Sequence, residues 1–152
     1  MATELNYICP KNCKNTPDSI FNTLLAFSQN TPLICKKCKN ELIIKLIFHF
    51  GLGVGEYPCR ILDAFTVTNP SHWKNEVGNE TYFYPFLVVL ELENNKTKYT
   101  WLPYWHIEQD SEGKRLATKY GQWAPFLEHS ILMDLLLQAK NKGHDLTCFS
   151  KP

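Results

Sequence analysis

Two close cysteine pairs constrain this chain more than any other feature. Cys9-Pro10-Lys11-Asn12-Cys13 and Cys35-Lys36-Lys37-Cys38 are separated by 21 residues. A tight turn aims two thiolates at one point, so each pair is half of a tetrahedral site and the fold must bring the halves together. Four thiolates leave no open coordination position. The expected cofactor is therefore a structural Zn2+ held by Cys9, Cys13, Cys35 and Cys38, not a catalytic ion. The lysines beside the second pair favour the ionised thiols. The competing readings are ordinary reduced cysteines, or a redox Cys-x-x-Cys at Cys35 and Cys38.

The chain begins without an apolar run behind a basic end and meets Pro10 early, so no signal peptide is read there. Its longest apolar stretch, Leu42 to Val54, is broken by Lys45 and His49 and is too short to span a bilayer. The expectation is a cytoplasmic protein with no membrane partner, in which the six cysteines form no disulfide framework. Of the 152 residues 44% are hydrophobic and 20% charged, enough to build a core and to exclude a disordered chain.

The run Ile34-Cys35-Lys36-Lys37-Cys38-Lys39, followed by strand-like Glu41 to Phe50, resembles the second knuckle of a zinc ribbon. The resemblance covers roughly the first third of the chain and implies one structural zinc. Two features depart from it. The first pair encloses three residues instead of two, and the spacer reads as a helix instead of a hairpin. Cys59, Cys148 and His49 lie outside the pattern. Cys59 reads as a small buried hydrophobe and His49 as a packed side chain.

In that spacer, Thr16 is placed to cap a helix, Pro17 to open it and Asp18 to face its positive end, before an apolar stripe from Ile20 to Phe27. Strands are expected over Glu41–Phe50, Arg60–Thr68, Tyr82–Glu93 and Lys98–Glu108. In the first, Leu42, Ile44, Leu46, Phe48 and Phe50 share a face. Residues 72–81 read as a loop, and 94–97 and 110–113 as turns. Pro85 and Pro103 each remove a ladder donor and point to edges or bulges. Pro125 to Lys142 is the clearest helix, with Gly143 placed to end it. The fold class is α+β: a mostly antiparallel sheet, a C-terminal covering helix and an N-terminal zinc-knuckle segment containing a short helix. The candidate division is 1–50 and 56–152 at the Gly51–Gly55 turn, or one continuous domain. That glycine run has neither the spacing nor the following helix of a phosphate loop, and reads as a hairpin connection.

Function is less constrained. A non-catalytic module whose fold is anchored by zinc and which engages a protein partner is the leading reading. Nucleic-acid binding through Lys11, Lys14, Lys36, Lys37 and Lys39 with exposed aromatics is the alternative. Residues 1–60 carry a net charge of +3 against +1 for the whole chain. Four thiolates on Zn2+ add −2, which leaves little to attract phosphates. On one strand Tyr99, Trp101 and Trp105 would share a face, either core or, if exposed, a surface that stacks bases, lines a small-ligand pocket or meets a partner. Exposed at a sheet edge, such a strand would favour a homodimer. An enzyme is disfavoured: Cys59 or Asp63 can be paired with His106 on paper, but no nucleophile motif fixes them. Lys114, Arg115, Lys119, Tyr120 and Trp123 form a small basic-aromatic cluster that a solvated loop explains equally well.

Overall fold

The computed structural model describes residues 3–49, 55–121 and 127–145. Its elements in chain order are β1 (Thr3–Ile8), α1 (Ile20–Ser28), β2 (Ile43–Phe48), β3 (Tyr57–Thr66), β4 (Ser71–Lys74), β5 (Glu80–Leu92), β6 (Lys98–Trp101), β7 (Tyr104–Gln109), β8 (Arg115–Tyr120) and α2 (His129–Asn141). The chain divides into two compact units, Met1–Ala64 with Val88–Trp101, and Phe65–Leu87 with Leu102–Pro152. Neither coincides with residues 1–50 or 56–152. Most of the Gly51–Gly55 turn lies outside the described residues, as do Phe50, Trp123, Pro125 and Cys148.

In the first unit β1 pairs antiparallel with β2 from Thr3↔Phe48 to Ile8↔Ile43, and β2 pairs with β3 from Lys45↔Arg60 to Phe48↔Tyr57. The far half of β5 pairs with β6 from Val88↔Trp101 to Glu91↔Lys98. Strand β2 has the alternation read from its sequence: Leu42, Ile44, Leu46 and Phe48 are buried, and Ile43, Lys45 and Ile47 are half-buried. Lys45 pairs with Glu93 on that second face.

The short helix α1 begins three residues later than the Thr16–Pro17 signal indicates. Ser19 is its cap, its Oγ accepting from the Asn22 N–H at 3.1 Å. Asp18 accepts from the Ser19 N–H at 2.6 Å and the Asn22 side-chain amide at 3.0 Å. Those bonds fix residues 18 and 19 outside the helix and leave Thr16 and Pro17 in the approach to it. Phe21, Thr23 and Leu24 are its buried side.

In the second unit β4 and β7 flank the near half of β5, with β8 beyond β7. Three strands here and in the first unit escape sequence reading. In β1 no residue is fully buried, all four residues of β4 are exposed, and five of six in β8 are exposed. They are held by backbone pairing without a buried face, so no apolar alternation marks them. The loop expected over 72–81 is thus the β4–β5 hairpin, where Asn75 accepts from the Val77 and Asn79 N–H groups. The strand expected over Lys98–Glu108 is two strands. At Pro103 the chain leaves β6, and the Pro103 carbonyl accepts from the Phe86 N–H at 2.8 Å. Pro85 is not on an edge strand. It is opposite Tyr104 at the last rung of the β5–β7 ladder, where a missing donor interrupts no later rung, and its carbonyl accepts from Thr66 Oγ1 at 2.7 Å.

Helix α2 ends where Gly143 takes a positive φ of 89°. Leu135 and Ala139 are its fully buried positions. The Gln138 amide donates to the Thr66 carbonyl at 3.3 Å, and Lys142 stands 5.6 Å over the Phe65 ring, so the helix packs on the end of β3. Its described start is His129, and residues 127–128 are not helical. Among the described residues no helix is long and apolar enough to cross a membrane.

Candidate metal centre

The β1–β2 register explains how two distant cysteine pairs meet. Antiparallel pairing places the end of β1 at Ile8 beside the start of β2 at Ile43. Cys9 leaves β1 directly. Cys35–Cys38 is the tip of a turn that closes just before β2, with an isolated Ile34↔Glu41 bridge and the Leu42 N–H donating to the Leu33 carbonyl at 2.8 Å. Helix α1 spans the gap, tied to β1 by the Tyr7 hydroxyl and Thr23 Oγ1 at 2.7 Å. Thr23 gives its proton to the Ser19 carbonyl, so Tyr7 is the donor.

Both knuckles are backbone turns. The Asn12 N–H donates to the Cys9 carbonyl at 2.9 Å, and the Lys39 N–H to the Cys35 carbonyl at 3.0 Å. Each turn uses one positive φ, at Asn12 (56°) and at Lys39 (63°). The result is a cluster in which the Sγ atoms of Cys9, Cys13, Cys35 and Cys38 all lie within 4.8 Å of one another. Tetrahedral Zn–S bonds of about 2.3 Å require S···S edges of about 3.8 Å, so the cluster is close to the required size. The Cys9 and Cys38 sulfurs, 3.3 Å apart, are too distant for a disulfide, and both thiols are free.

Cys9 and Cys35 are buried, whereas Cys13 and Cys38 are half-buried. Backbone N–H donors, led by that of Cys38, and the Asn15 amide hold the Cys35 thiol down at about 6. Burial and the three neighbouring sulfurs push Cys13 up to about 12. The shifts have different causes, hydrogen bonds to the Cys35 sulfur and burial among sulfurs at Cys13, and ionising all four thiols this close together needs a cation among them. The cluster can hold a metal ion.

Asn15 is the site residue that the cysteine pattern does not reveal. Its side-chain amide donates to the Cys13 carbonyl at 2.9 Å and to Cys35 Sγ at 3.5 Å, linking the two knuckles. Its only sequence signal is an amide two residues past a cysteine. His49 lies exposed past the opposite end of β2, outside the cluster. Cys59 is buried opposite Leu46 in the β2–β3 ladder, and burial followed by the Glu93 carboxylate raises its pKa, the reverse of an activated nucleophile. Asp63 is buried in β3 with its carboxylate accepting from the Ala64 N–H, while His106 is in β7 among the rings of Trp73, Phe83 and Tyr104.

Lys11, Lys14, Lys36, Lys37 and Lys39 are all exposed around the knuckles. Tyr99, Trp101 and Trp105 do not form one strand face. Tyr99 and Trp101 are half-buried in β6, Trp101 meeting the Phe48 ring edge-on at 5.1 Å. Trp105 is buried in β7 against Phe86 and Tyr120. No protein-family model, curated protein or solved structure matches the chain.

Proposed function

We propose that Cys9, Cys13, Cys35 and Cys38 hold one structural Zn2+, and that the segment it fastens is a non-catalytic recognition module for a protein partner in the cytoplasm. The closed cluster of four sulfurs carries the reading. An all-thiolate set suits zinc, and four protein ligands leave no position for a substrate. The ion would fasten β1 to the turn before β2, at the end of the ladder where the chain makes its longest excursion through α1. Zinc analysis of the purified protein tests this directly. One zinc per chain and cooperative unfolding on chelation are expected, and a metal-free protein with an unchanged melting curve would refute it.

The five exposed lysines around the knuckles favour a second reading, nucleic-acid binding. Anisotropy with mixed RNA and DNA pools at low and physiological salt separates the two. Salt-sensitive binding lost on replacing Lys36 and Lys37 supports nucleic acid, and no binding at low salt removes it.

A further inference from the structure

Beside the cysteine cluster, in the same unit, lies a cavity of about 440 Å³ that the cysteine motif does not account for. Its wall joins both knuckles and α1. Lys14 follows the first knuckle and Lys36 stands inside the second, so lysines from two separate turns line one space. Ala26, Leu33 and Leu42 add aliphatic surface to the same lining.

We propose that this cavity binds the C-terminal end of a partner chain, with Lys14 and Lys36 on the terminal carboxylate and the last aliphatic side chain against Ala26, Leu33 and Leu42. Size and chemistry select this occupant. The volume is that of a small-molecule site, which suits a chain end more than a segment passing through. Lys14, Lys36 and Asp18 together leave the wall a net charge of +1, which matches one carboxylate and is thin for a run of backbone phosphates. Base stacking has little to use either. Tyr7 is the one aromatic among the lining residues, and its hydroxyl is fixed on Thr23. A single carboxylate fits two lysines, and an aliphatic side chain fits the remaining wall. The inference deepens the protein-partner reading and rests on the zinc only in that the ion would hold the two lysine-bearing turns together.

The test is fluorescence anisotropy with a labelled pentapeptide ending in valyl-leucine, its C-terminally amidated twin, and a labelled oligouridylate, with zinc content measured on the same samples. The free-carboxylate peptide is expected to bind and the amidated one to bind about tenfold or more weakly, the loss of a charge-assisted contact. Lys14→Gln and Lys36→Gln should each weaken binding by a similar factor at unchanged zinc content, and Ala26→Trp should block it by filling the cavity. Equal binding of the amidated peptide, or no binding by zinc-loaded protein, overturns the proposal. Oligouridylate binding lost in the two lysine variants without peptide binding overturns it in favour of phosphate recognition. Carboxylate-dependent binding by a protein that takes up no zinc refutes the zinc reading and supports this one.

Discussion

Cys35→Ser removes a sulfur from the most enclosed position in the cluster, where the side chain is fully buried. The backbone there is fixed by the Cys35 N–H donating to the Asn40 carbonyl at 2.8 Å, and the Asn15 amide is aimed at Sγ. A serine hydroxyl is shorter and a poor zinc ligand, so a zinc held here would keep three thiolates. Structural zinc sites bind their ion with roughly 10–16 kcal/mol. Shared among four ligands, that is about 2.5–4 kcal/mol for one, or a loss of about 70- to 900-fold in affinity. With zinc at about 100 times the wild-type Kd, a 100-fold loss cuts the linked stability from about 2.7 to about 0.4 kcal/mol, a fall of about 2.3 kcal/mol. For a chain of this size the melting temperature should fall by about 5–10 °C. Cobalt titration, followed by its thiolate charge-transfer absorption, reads the affinity, and a thermal melt at fixed zinc reads the stability. Cys59→Ser is the control: equally cysteine, buried, but outside the cluster. Wild-type affinity in Cys35→Ser, or an equal loss in Cys59→Ser, would refute the assignment.

Three further outcomes follow from particular contacts. Burial, then Lys119, holds the His106 pKa below the ordinary imidazole range. The unfolded chain therefore takes up that proton first, and the stability present above the ordinary range is lost as pH falls through the folded value. Melting temperature should drop between pH 7 and pH 5 and the slope should flatten in His106→Phe; an identical slope would rule out His106 as the titrating group. Gly121→Ala would place its Cβ 1.9–2.5 Å from atoms of the Tyr104 ring, so the ring must swing away. The overpacking should cost about 1–3 kcal/mol in denaturant unfolding, and the cost should vanish in a Tyr104→Ala background. Lys39→Gly relieves a non-glycine φ of 63° at the second knuckle. A gain of up to about 1 kcal/mol is expected, part of it offset by unfolded-chain entropy, with zinc content unchanged, whereas loss of zinc would show that the Lys39 side chain supports the site.

The sequence by itself determined the features whose physics is local. Four thiols at knuckle spacing name the candidate ligands because ligand chemistry belongs to the residue. Strand β2 shows its buried face at Ile44, Leu46 and Phe48 because a half-buried strand must alternate. Helix α2 stops at Gly143 because that residue adopts a positive φ without steric cost. Tertiary structure decided what depends on partners distant in the chain. Strands β1, β4 and β8 exist through hydrogen bonds to neighbours and bury no face of their own, so their residues carry no pattern. The division at Pro103, and the placing of Trp101 and Trp105 on different strands, follow from which half of β5 each segment pairs with. The convergence of Cys9 and Cys13 with Cys35 and Cys38 is likewise a consequence of the β1–β2 register, which sets Ile8 against Ile43. Asn15 as a bridge between knuckles, and a cavity walled by both knuckles and α1, arise only once that register has brought the segments together.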